Sequence, residues 1–281
     1  MQELKLLFIN NVPFVGGNIG DSYLHGDSTY MEFPDGTNAL LDAGTSVSGP
    51  HIAEKLLSMG VKRLDRFILS HPHADHGDGF AAVAEAMPVG EMIWSGCDVE
   101  NQTYAPAACA VAEKYNIPRR TVRAGEKLSL GGTEVEVLHP GVDATSADPA
   151  AERSVQGDHL NNNSLVLRLT YGDFSVLFAG DVHKDMESCL VEKYGARLQS
   201  TLLKIPHHGN DTSMGQAFFD CVKPQLGVSL GRRCIGRIWI MFTEAKTPLY
   251  ATYADGDILA VADGSRLQVS CDKGKRIFEL E

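Results

Sequence analysis

His71-Pro72-His73-Ala74-Asp75-His76 places three imidazoles and one carboxylate within six residues, directly after the strand-like run Arg66–Ser70. Imidazole nitrogens and carboxylate oxygens are ligands that suit Zn²⁺, Mn²⁺ and Fe²⁺. Because side chains alternate along an extended segment, His71, His73 and Asp75 point the same way, and the following turn can bring His76 beside them. The spacing therefore predicts a metal site rather than a surface loop that happens to be rich in histidine.

The composition agrees with a compact soluble enzyme. Hydrophobic residues make up 43% of the 281 residues, which supplies a sizeable core. No apolar run approaches the ~20 residues needed to cross a bilayer, and the N-terminal residues lack the features of a signal peptide. The six cysteines are scattered without a Cys-x-x-Cys pair, so reduced thiols are favoured over a disulfide framework. We expect a cytoplasmic protein without a membrane segment.

The charge of the chain bears on its partners. The formal net charge is −11, whereas proteins that follow nucleic acid usually carry a basic stripe that neutralises phosphates. The small basic clusters, Arg119-Arg120 and Arg232-Arg233 with Arg237, are more simply explained as solvated surface. Non-specific nucleic-acid binding is therefore disfavoured, and a small-molecule substrate is the expected partner.

Strand and helix patterns repeat loosely in two halves, roughly 1–150 and 151–281, which we expect to form one domain of 281 residues. A polar, alanine-rich stretch without periodicity, Asp143–Asp158, is predicted as the loop between them. After a helix that ends near Val222, short strands are predicted up to the C-terminus. Apolar residues at helical and alternating spacing predict helices at 50–59, 80–86, 107–115, 184–194 and 214–222, and strands at 4–9, 29–33, 39–42, 66–70, 89–94, 133–138, 164–170, 174–179 and 201–205.

Several shorter motifs accompany the histidine cluster in a fixed order. They are Gly26-Asp27-Ser28, Ala39-Leu40-Leu41-Asp42-Ala43-Gly44, Asn161-Asn162-Asn163-Ser164, Leu177-Phe178-Ala179-Gly180-Asp181 and Lys204-Ile205-Pro206-His207-His208-Gly209. With His71-x-His73-x-Asp75-His76-x-x-Gly79, the series resembles the metallo-β-lactamase-fold superfamily. Within it, the series is similar to the hydrolase domain of ComEC-type competence proteins and to the bacterial phosphorylcholine esterases. The resemblance covers roughly Leu4 to Lys223 and implies a four-layer αβ/βα sandwich with a two-metal centre at one edge, between the sheets.

The resemblance also implies the cofactors and their ligands. Two divalent metal ions are expected, Zn²⁺ ahead of Mn²⁺ or Fe²⁺. The implied ligands are His71 and His73 for the first ion, Asp75, His76 and His207 for the second, and Asp181 between the two. A hydroxide shared by the ions would attack the substrate, because coordination lowers the pKa of water to about 7, and Asp75 would help to orient it.

Other polar positions keep more than one interpretation. Adjacent histidines on an extended strand face opposite sides, so His208 is either a second ligand or a donor to an anionic oxygen of the substrate. His159 is either a further ligand, as in many superfamily members, or a loop residue. Asn162 is expected to contact metal-bound water or substrate. Competence-type domains usually carry Gly-His-Pro where this chain has Gly231 followed by Arg232 and Arg233. These arginines are either solvated surface or a substrate-binding site for an anionic group.

The sequence therefore predicts a dinuclear metal-dependent hydrolase, with a phosphodiester as the expected substrate. Hydrolysis of a carboxylic ester, a thioester or a β-lactam remains an alternative for the same centre. Outside enzymes, the alternative is an inactive metal-binding homologue that recognises a ligand. The glycine-rich segment Asn11–His25, longer than is usual in the family, is expected to form one wall of the active site.

Overall fold

The structure is a computed structural model that describes residues 2–11, 26–96, 107–141, 159–231, 234–272 and 278–280, apart from the side chain of His159. Within these residues the strands are β1 (Leu4–Phe8), β2 (Thr29–Glu32), β3 (Asn38–Leu41), β4 (Leu64–Leu69), β5 (Val89–Trp94), β6 (Arg119–Thr121), β7 (Lys127–Leu130), β8 (Thr133–His139), β9 (Val166–Tyr171), β10 (Phe174–Phe178), β11 (Leu202–Lys204), β12 (Leu226–Ser229), β13 (Leu249–Ala251), β14 (Ile258–Ala262), β15 (Leu267–Cys271) and β16 (Phe278–Leu280).

The strands form two mixed sheets. One has nine strands in the order β16-β15-β14-β1-β2-β3-β4-β5-β6, and the other has seven in the order β13-β12-β11-β10-β9-β8-β7. The helices are α1 (Gly49–Ser58), α2 (Ala74–Gly77), α3 (Phe80–Ala86), α4 (Ala107–Lys114), α5 (His159–Asn162), α6 (Lys184–Tyr194), α7 (Gln216–Val222), α8 (Gly236–Glu244) and α9 (Thr252–Asp255), with 3₁₀ turns at Gly195–Leu198 and Pro206–Gly209.

The buried side chains form three hydrophobic clusters, one between the two sheets and one on the outer face of each sheet. Strand β1 shows why: Leu6 and Phe8 point into the space between the sheets, whereas Leu7 points to the outer, helix-covered face. This is the alternation expected of a strand that is covered on both sides. Phe8 meets Phe178 of the opposite sheet with ring centroids 6.5 Å apart. Helices α1, α3 and α4 cover the nine-stranded sheet, and α6, α7 and α8 cover the other. The predicted four-layer αβ/βα sandwich is confirmed.

The parallel strands bring the functional motifs to one edge. β3 runs parallel to β4, and β10 runs parallel to β11, so the chain leaves each pair on the same side. Asp42 follows β3 and the histidine cluster follows β4, while Asp181 and the turn 206–209 follow β10 and β11. The backbone N–H of Leu165 donates to the carbonyl of Ser70 at 2.8 Å, which joins the two sheets at this edge. The fold therefore delivers four distant segments to one place.

One expectation about the C-terminal part differs from the structure. Strands β7 and β8 belong to the seven-stranded sheet and β14–β16 to the nine-stranded one, so each sheet draws strands from both parts of the chain. The prediction of strands alone after residue 222 is wrong for 236–244, which form α8. Its buried residues, Ile238, Met241 and Phe242, recur at helical spacing on one face.

Some expectations lie outside the described residues. They are the loop 143–158 and the segment 12–25 that was expected to line the active site. Within the described residues, no helix has the length and apolar character needed to cross a membrane.

Candidate metal centre

The histidine cluster lies at the end of β4 and continues into the short helix α2. His71 is buried, and its Nε2 lies 3.0 Å from Nδ1 of His73. The chain then turns, so His76 comes to lie beside His71 with ring centroids 4.1 Å apart. Burial and the neighbouring histidines hold the pKa of His71 well below its usual value. His71 is therefore a neutral imidazole, the form that binds a metal.

Two glycines allow neighbouring backbone to pack directly against this segment. A Cβ on Gly79 would lie 1.9 Å from the carbonyl oxygen of Ala43, and one on Gly26 would lie 2.0 Å from the carbonyl oxygen of Asp75. No side chain fits at those distances, so only glycine permits the close approach. The result is a fixed frame in which the carbonyl of Asp75 also accepts the N–H of Asp27 at 3.1 Å.

Four donor side chains converge from three segments. Nε2 of His76 lies 3.2 Å from Oδ2 of Asp181 and 4.0 Å from Oδ2 of Asp75. Nε2 of His208 lies 3.3 Å from the same Asp181 oxygen and 3.1 Å from the same Asp75 oxygen. Ligands about 2.0–2.1 Å from a tetrahedral zinc ion stand roughly 3.3 Å from one another. Three of the four distances lie close to this spacing, and the fourth, between His76 and Asp75, is longer.

Each of the two converging histidines has a buried carboxylate behind it. Nδ1 of His76 donates to Oδ2 of Asp42 at 2.8 Å, and Nδ1 of His208 donates to Oδ1 of Asp27 at 2.9 Å. A carboxylate only accepts, so each Nδ1 carries a hydrogen, and each Nε2 is the atom that would bind a metal once the ion replaces the proton it shares with Asp75 or Asp181. Asp42 is itself fixed by the N–H and the hydroxyl of Ser70, at 2.8 and 2.7 Å.

The electrostatics of these groups favour a bound cation. Burial alone would lower the pKa of His76, but Asp181 and Asp42 outweigh it and hold that pKa well above its usual value. Burial would likewise raise the pKa of Asp181, but His76, His208 and Lys204 hold it well below its usual value. Asp181 is thus an ionised carboxylate that attracts positive charge from several directions, and a metal ion can supply that charge in place of protons.

A second group of donors adjoins the first. His71, His76 and Asp181 are buried and offer ligand atoms that all lie within 4.8 Å of one another. Oδ1 of Asp181 is buried without a hydrogen-bond partner among the described residues. The backbone N–H of Asp181 is fixed by the Ser164 hydroxyl at 3.0 Å. Asp181 is therefore shared by both groups of donors.

The two adjacent histidines at 207 and 208 face different surroundings. Both have left-handed backbone, with φ of 49° and 52°, so the alternation of a strand does not apply to them. His208 faces the carboxylates, as described above. His207 instead bonds through Nδ1 to the hydroxyl of Thr212 at 2.6 Å and stacks on His183 with ring centroids 5.0 Å apart. The structure thus places His208, and not the implied ligand His207, among the converging donors.

The remaining predicted site residues are separate from these donors or lie outside the description. Asn162 is fully buried, donates to the Asp185 carboxylate at 3.1 Å and accepts the backbone N–H of His183 at 2.9 Å. The side chain of Asn162 therefore fixes the N-terminus of α6 through these hydrogen bonds. The positions of Arg232, Arg233 and the His159 side chain are not among the described ones.

Sequence reasoning assigned no role to three residues that support the centre: Asp27, Asp42 and Lys204. Nζ of Lys204 pairs with the Asp27 carboxylate and lies 3.6 Å from Oδ1 of Asp181. One signal was available in the sequence, because a lone lysine within the apolar run 202–205 is seldom buried without a partner. The partner itself, far away in sequence, becomes evident only in the fold.

Comparison with known proteins agrees with the fold and the motifs. The model of the "Metallo-beta-lactamase superfamily" matches residues 23–93. The chain is 31% identical to the competence protein ComA of Neisseria gonorrhoeae over 68% of its own length and 23% of the relative. It is 25% identical to the ComE operon protein 3 of Bacillus subtilis over 62% of its length and 20% of that protein. It thus spans a small part of these relatives.

Solved structures share the whole architecture at low identity. Tm1679, described as a metal-dependent hydrolase of the β-lactamase superfamily, has a TM-score of 0.58 at 13% identity and covers 90% of this chain and 98% of its own. YhfI of Bacillus subtilis, described as a metallo-beta-lactamase fold protein, has a TM-score of 0.55 at 14% identity. The match covers 99% of this chain and 100% of YhfI. The fold is therefore that of the metallo-β-lactamase superfamily. The sequence is similar to the competence protein ComA and to the ComE operon protein 3 over about two thirds of this chain.

Proposed function

We propose that this protein is a dinuclear metal-dependent hydrolase that acts on a phosphodiester. The observation that carries the proposal is the convergence of Nε2 of His76, Nε2 of His208 and the carboxylates of Asp75 and Asp181 at the spacing of metal ligands. Two buried carboxylates orient the histidines for this purpose. Such an arrangement is costly without a cation, because like charges and buried polar groups face one another.

The donor set determines which ions fit. It consists of imidazole nitrogens and carboxylate oxygens, which suit Zn²⁺, Mn²⁺ or Fe²⁺, and of these we expect Zn²⁺ first. We assign His71 and His73 to one ion and Asp75, His76 and His208 to the other. Asp181 belongs to both groups of donors and is the proposed bridge.

The metal ions and Asp75 have different roles in the proposed reaction. When bound, the ions would lower the pKa of water to about 7 and offset charge that develops on the substrate. The side chain of Asp75 is 28% exposed, against 0% for His76 and 2% for Asp181. Asp75 is thus the donor that faces solvent, and we propose that it orients the attacking water by accepting its hydrogen bond.

A phosphodiester is proposed because two adjacent cations suit in-line attack at phosphorus, where both the attacking and the leaving oxygen need stabilisation. The fold alone does not determine the substrate. The alternatives, a carboxylic ester, a thioester or a β-lactam, use the same centre and are decided by the assay.

The test has two measurements on purified protein. Mass spectrometry should find about two equivalents of metal, and bis(p-nitrophenyl) phosphate should be hydrolysed with that metal. Asp75→Asn should abolish most of the rate while the circular dichroism spectrum is kept. Asp220→Asn, at an exposed carboxylate that pairs only with Gln216 in the described contacts, is the matched control and should retain the rate. Turnover of p-nitrophenyl acetate alone would move the substrate to carboxylic esters, and bound metal without any turnover would favour a binding protein.

A further inference from the structure

Arg123 lies just beyond β6, at the same edge of the nine-stranded sheet as the histidine cluster. Strands β4, β5 and β6 run parallel, and Trp94 of β5 pairs with Leu69 on one side and with Thr121 on the other. Two residues further along these strands come His71, Gly96 and Arg123. Since ligands of parallel α/β sheets bind outside the carboxyl ends of the strands, Arg123 lies on the ligand-binding edge, level with the start of the metal centre.

The side chain of Arg123 leans from its own strand toward the strand of the histidines. Nη2 lies 3.5 Å from the position that a Cβ on Gly96 would take, so the guanidinium group packs against the chain at the end of β5. Neighbouring strands are about 4.8 Å apart. The guanidinium group is therefore about one strand spacing from the backbone of His71.

This guanidinium group is half-buried and has no carboxylate partner among the described residues. Its one described hydrogen bond runs from Nη1 to the carbonyl of Val122 at 3.2 Å. By contrast, Arg120 lies 3.5 Å from the carboxylate of Glu126. A guanidinium group carries several N–H donors in one plane, and a partly buried charge without a counter-charge is costly. Arg123 thus has donors and charge left for an anionic ligand.

The backbone of Arg123 is fixed on both sides, so the side chain starts from a defined point. Its N–H donates to Oε1 of Glu126 at 2.7 Å, and its carbonyl accepts the backbone N–H of Glu126 at 3.1 Å. The N–H of Ala124 donates to the carbonyl of Pro140 at 2.7 Å, which ties the turn to the end of β8. A group held in this way loses little freedom when it binds a ligand.

We propose that Arg123 binds a second phosphate group of the substrate, next to the phosphodiester at the metal centre. This inference rests on the proposed function. A guanidinium group donates two parallel N–H bonds to phosphate oxygens. Because it lies about one strand spacing away from the chain at His71, it contacts the phosphate that neighbours the scissile one. The net charge of −11 disfavours long nucleic acids, so the substrate class is a short nucleotide that carries a further phosphate.

The test compares two chromogenic substrates on the metal-loaded protein. Thymidine 5′-(4-nitrophenyl phosphate) and its 3′-phosphorylated derivative release the same p-nitrophenol and differ only in the additional phosphate. The wild type should have a KM about tenfold lower for the 3′-phosphorylated substrate, as expected for hydrogen bonds to a charged group. Arg123→Met should remove this difference by raising the KM of that substrate alone, with kcat kept for both.

Two further variants control for charge and structure. Arg119→Met removes an exposed arginine of the same strand and should leave both KM values unchanged. Arg123→Lys keeps the charge without the planar fork, so it should retain part of the difference. If Arg123→Met raised both KM values equally, or lowered the melting temperature without changing the preference, Arg123 would only support β6 and the inference would be refuted.

The same assays separate this inference from the proposed function. Hydrolysis of both nucleotides with equal KM in the wild type would refute only the phosphate site at Arg123. Hydrolysis of bis(p-nitrophenyl) phosphate but of neither nucleotide would do the same. Absence of hydrolysis of all three substrates would refute both proposals.

Discussion

Asp42→Asn tests whether a buried carboxylate fixes the metal-binding form of His76. Oδ2 of Asp42 accepts Nδ1–H of His76 at 2.8 Å, and Oδ1 accepts the backbone N–H of Ser70, also at 2.8 Å. Asparagine is nearly the same size and can keep the Ser70 bond through its carbonyl oxygen. Its amide then faces Nδ1 as a donor, so the hydrogen of the imidazole moves to Nε2. That hydrogen points at the proposed metal ion and removes the lone pair that would bind it.

The expected decrease in metal affinity follows from the loss of the carboxylate that orients His76. Removing a carboxylate that orients a histidine ligand typically costs 10–100-fold in metal affinity, or about 1.4–2.7 kcal/mol. We therefore expect Zn²⁺ binding at the position of His76 to weaken by this factor, with an unchanged circular dichroism spectrum. The measurement is a titration of metal-free protein with Zn²⁺ in competition with a chromophoric chelator, with Asp220→Asn as the control for loss of a surface carboxylate. A variant that binds Zn²⁺ as the wild type does would show that Asp42 does not set the state of His76.

Further predictions concern neighbouring parts of the structure. His208→Ala should lower the bound metal by about one equivalent, whereas His207→Ala should keep the wild-type metal content because that ring bonds to Thr212; metal analysis with the opposite result would restore His207 as the ligand. Burial raises the pKa of Glu187 to about 7 from its ordinary 4.5, so between these values the folded state keeps a proton that the unfolded state has lost. The free energy of unfolding should therefore fall by up to about 3 kcal/mol as the pH rises through that interval. Urea unfolding of Glu187→Gln should lack this slope, and an identical slope would contradict the assignment. Gly79→Ala should destabilise the fold by about 1–3 kcal/mol through backbone collision, and a wild-type melting temperature would refute the close packing.

The sequence predicted most of the layers and the place of the histidine cluster, because both depend on local patterns. Alternating apolar residues gave strands such as β5 within a residue of their bounds, and the spacing of the cluster is itself a local feature. Local sequence patterns could not predict which of His207 and His208 lies among the metal donors. It depends on left-handed backbone at both residues, which strand alternation does not anticipate. The prediction of strands over α8 has a different cause: Ile238, Met241 and Phe242 recur at helical spacing, a local signal that the prediction did not use.

The supporting charges could not be predicted because they join segments that are far apart in sequence. Asp27 and Lys204 are separated by most of the chain and meet only because the two sheets place their carboxyl edges together. Taken alone, Asp27 would be interpreted as a turn carboxylate and Lys204 as a surface lysine. Their pairing became evident from burial and from the distances to Asp181.

The sum of the buried charges gives a physical reason for the proposed substrate class. Four carboxylates, those of Asp27, Asp42, Asp75 and Asp181, face one ammonium at Lys204, so the centre has a formal charge of −3 with neutral imidazoles. Two divalent ions would bring it to about +1 before any water ionises. A centre with a small positive charge attracts a monoanion such as a phosphodiester and offsets the charge that gathers on phosphorus oxygens during attack. The mutual repulsion of these carboxylates is relieved in part by Lys204 and by the hydrogen bonds of His76 and His208, and bound cations would relieve it further.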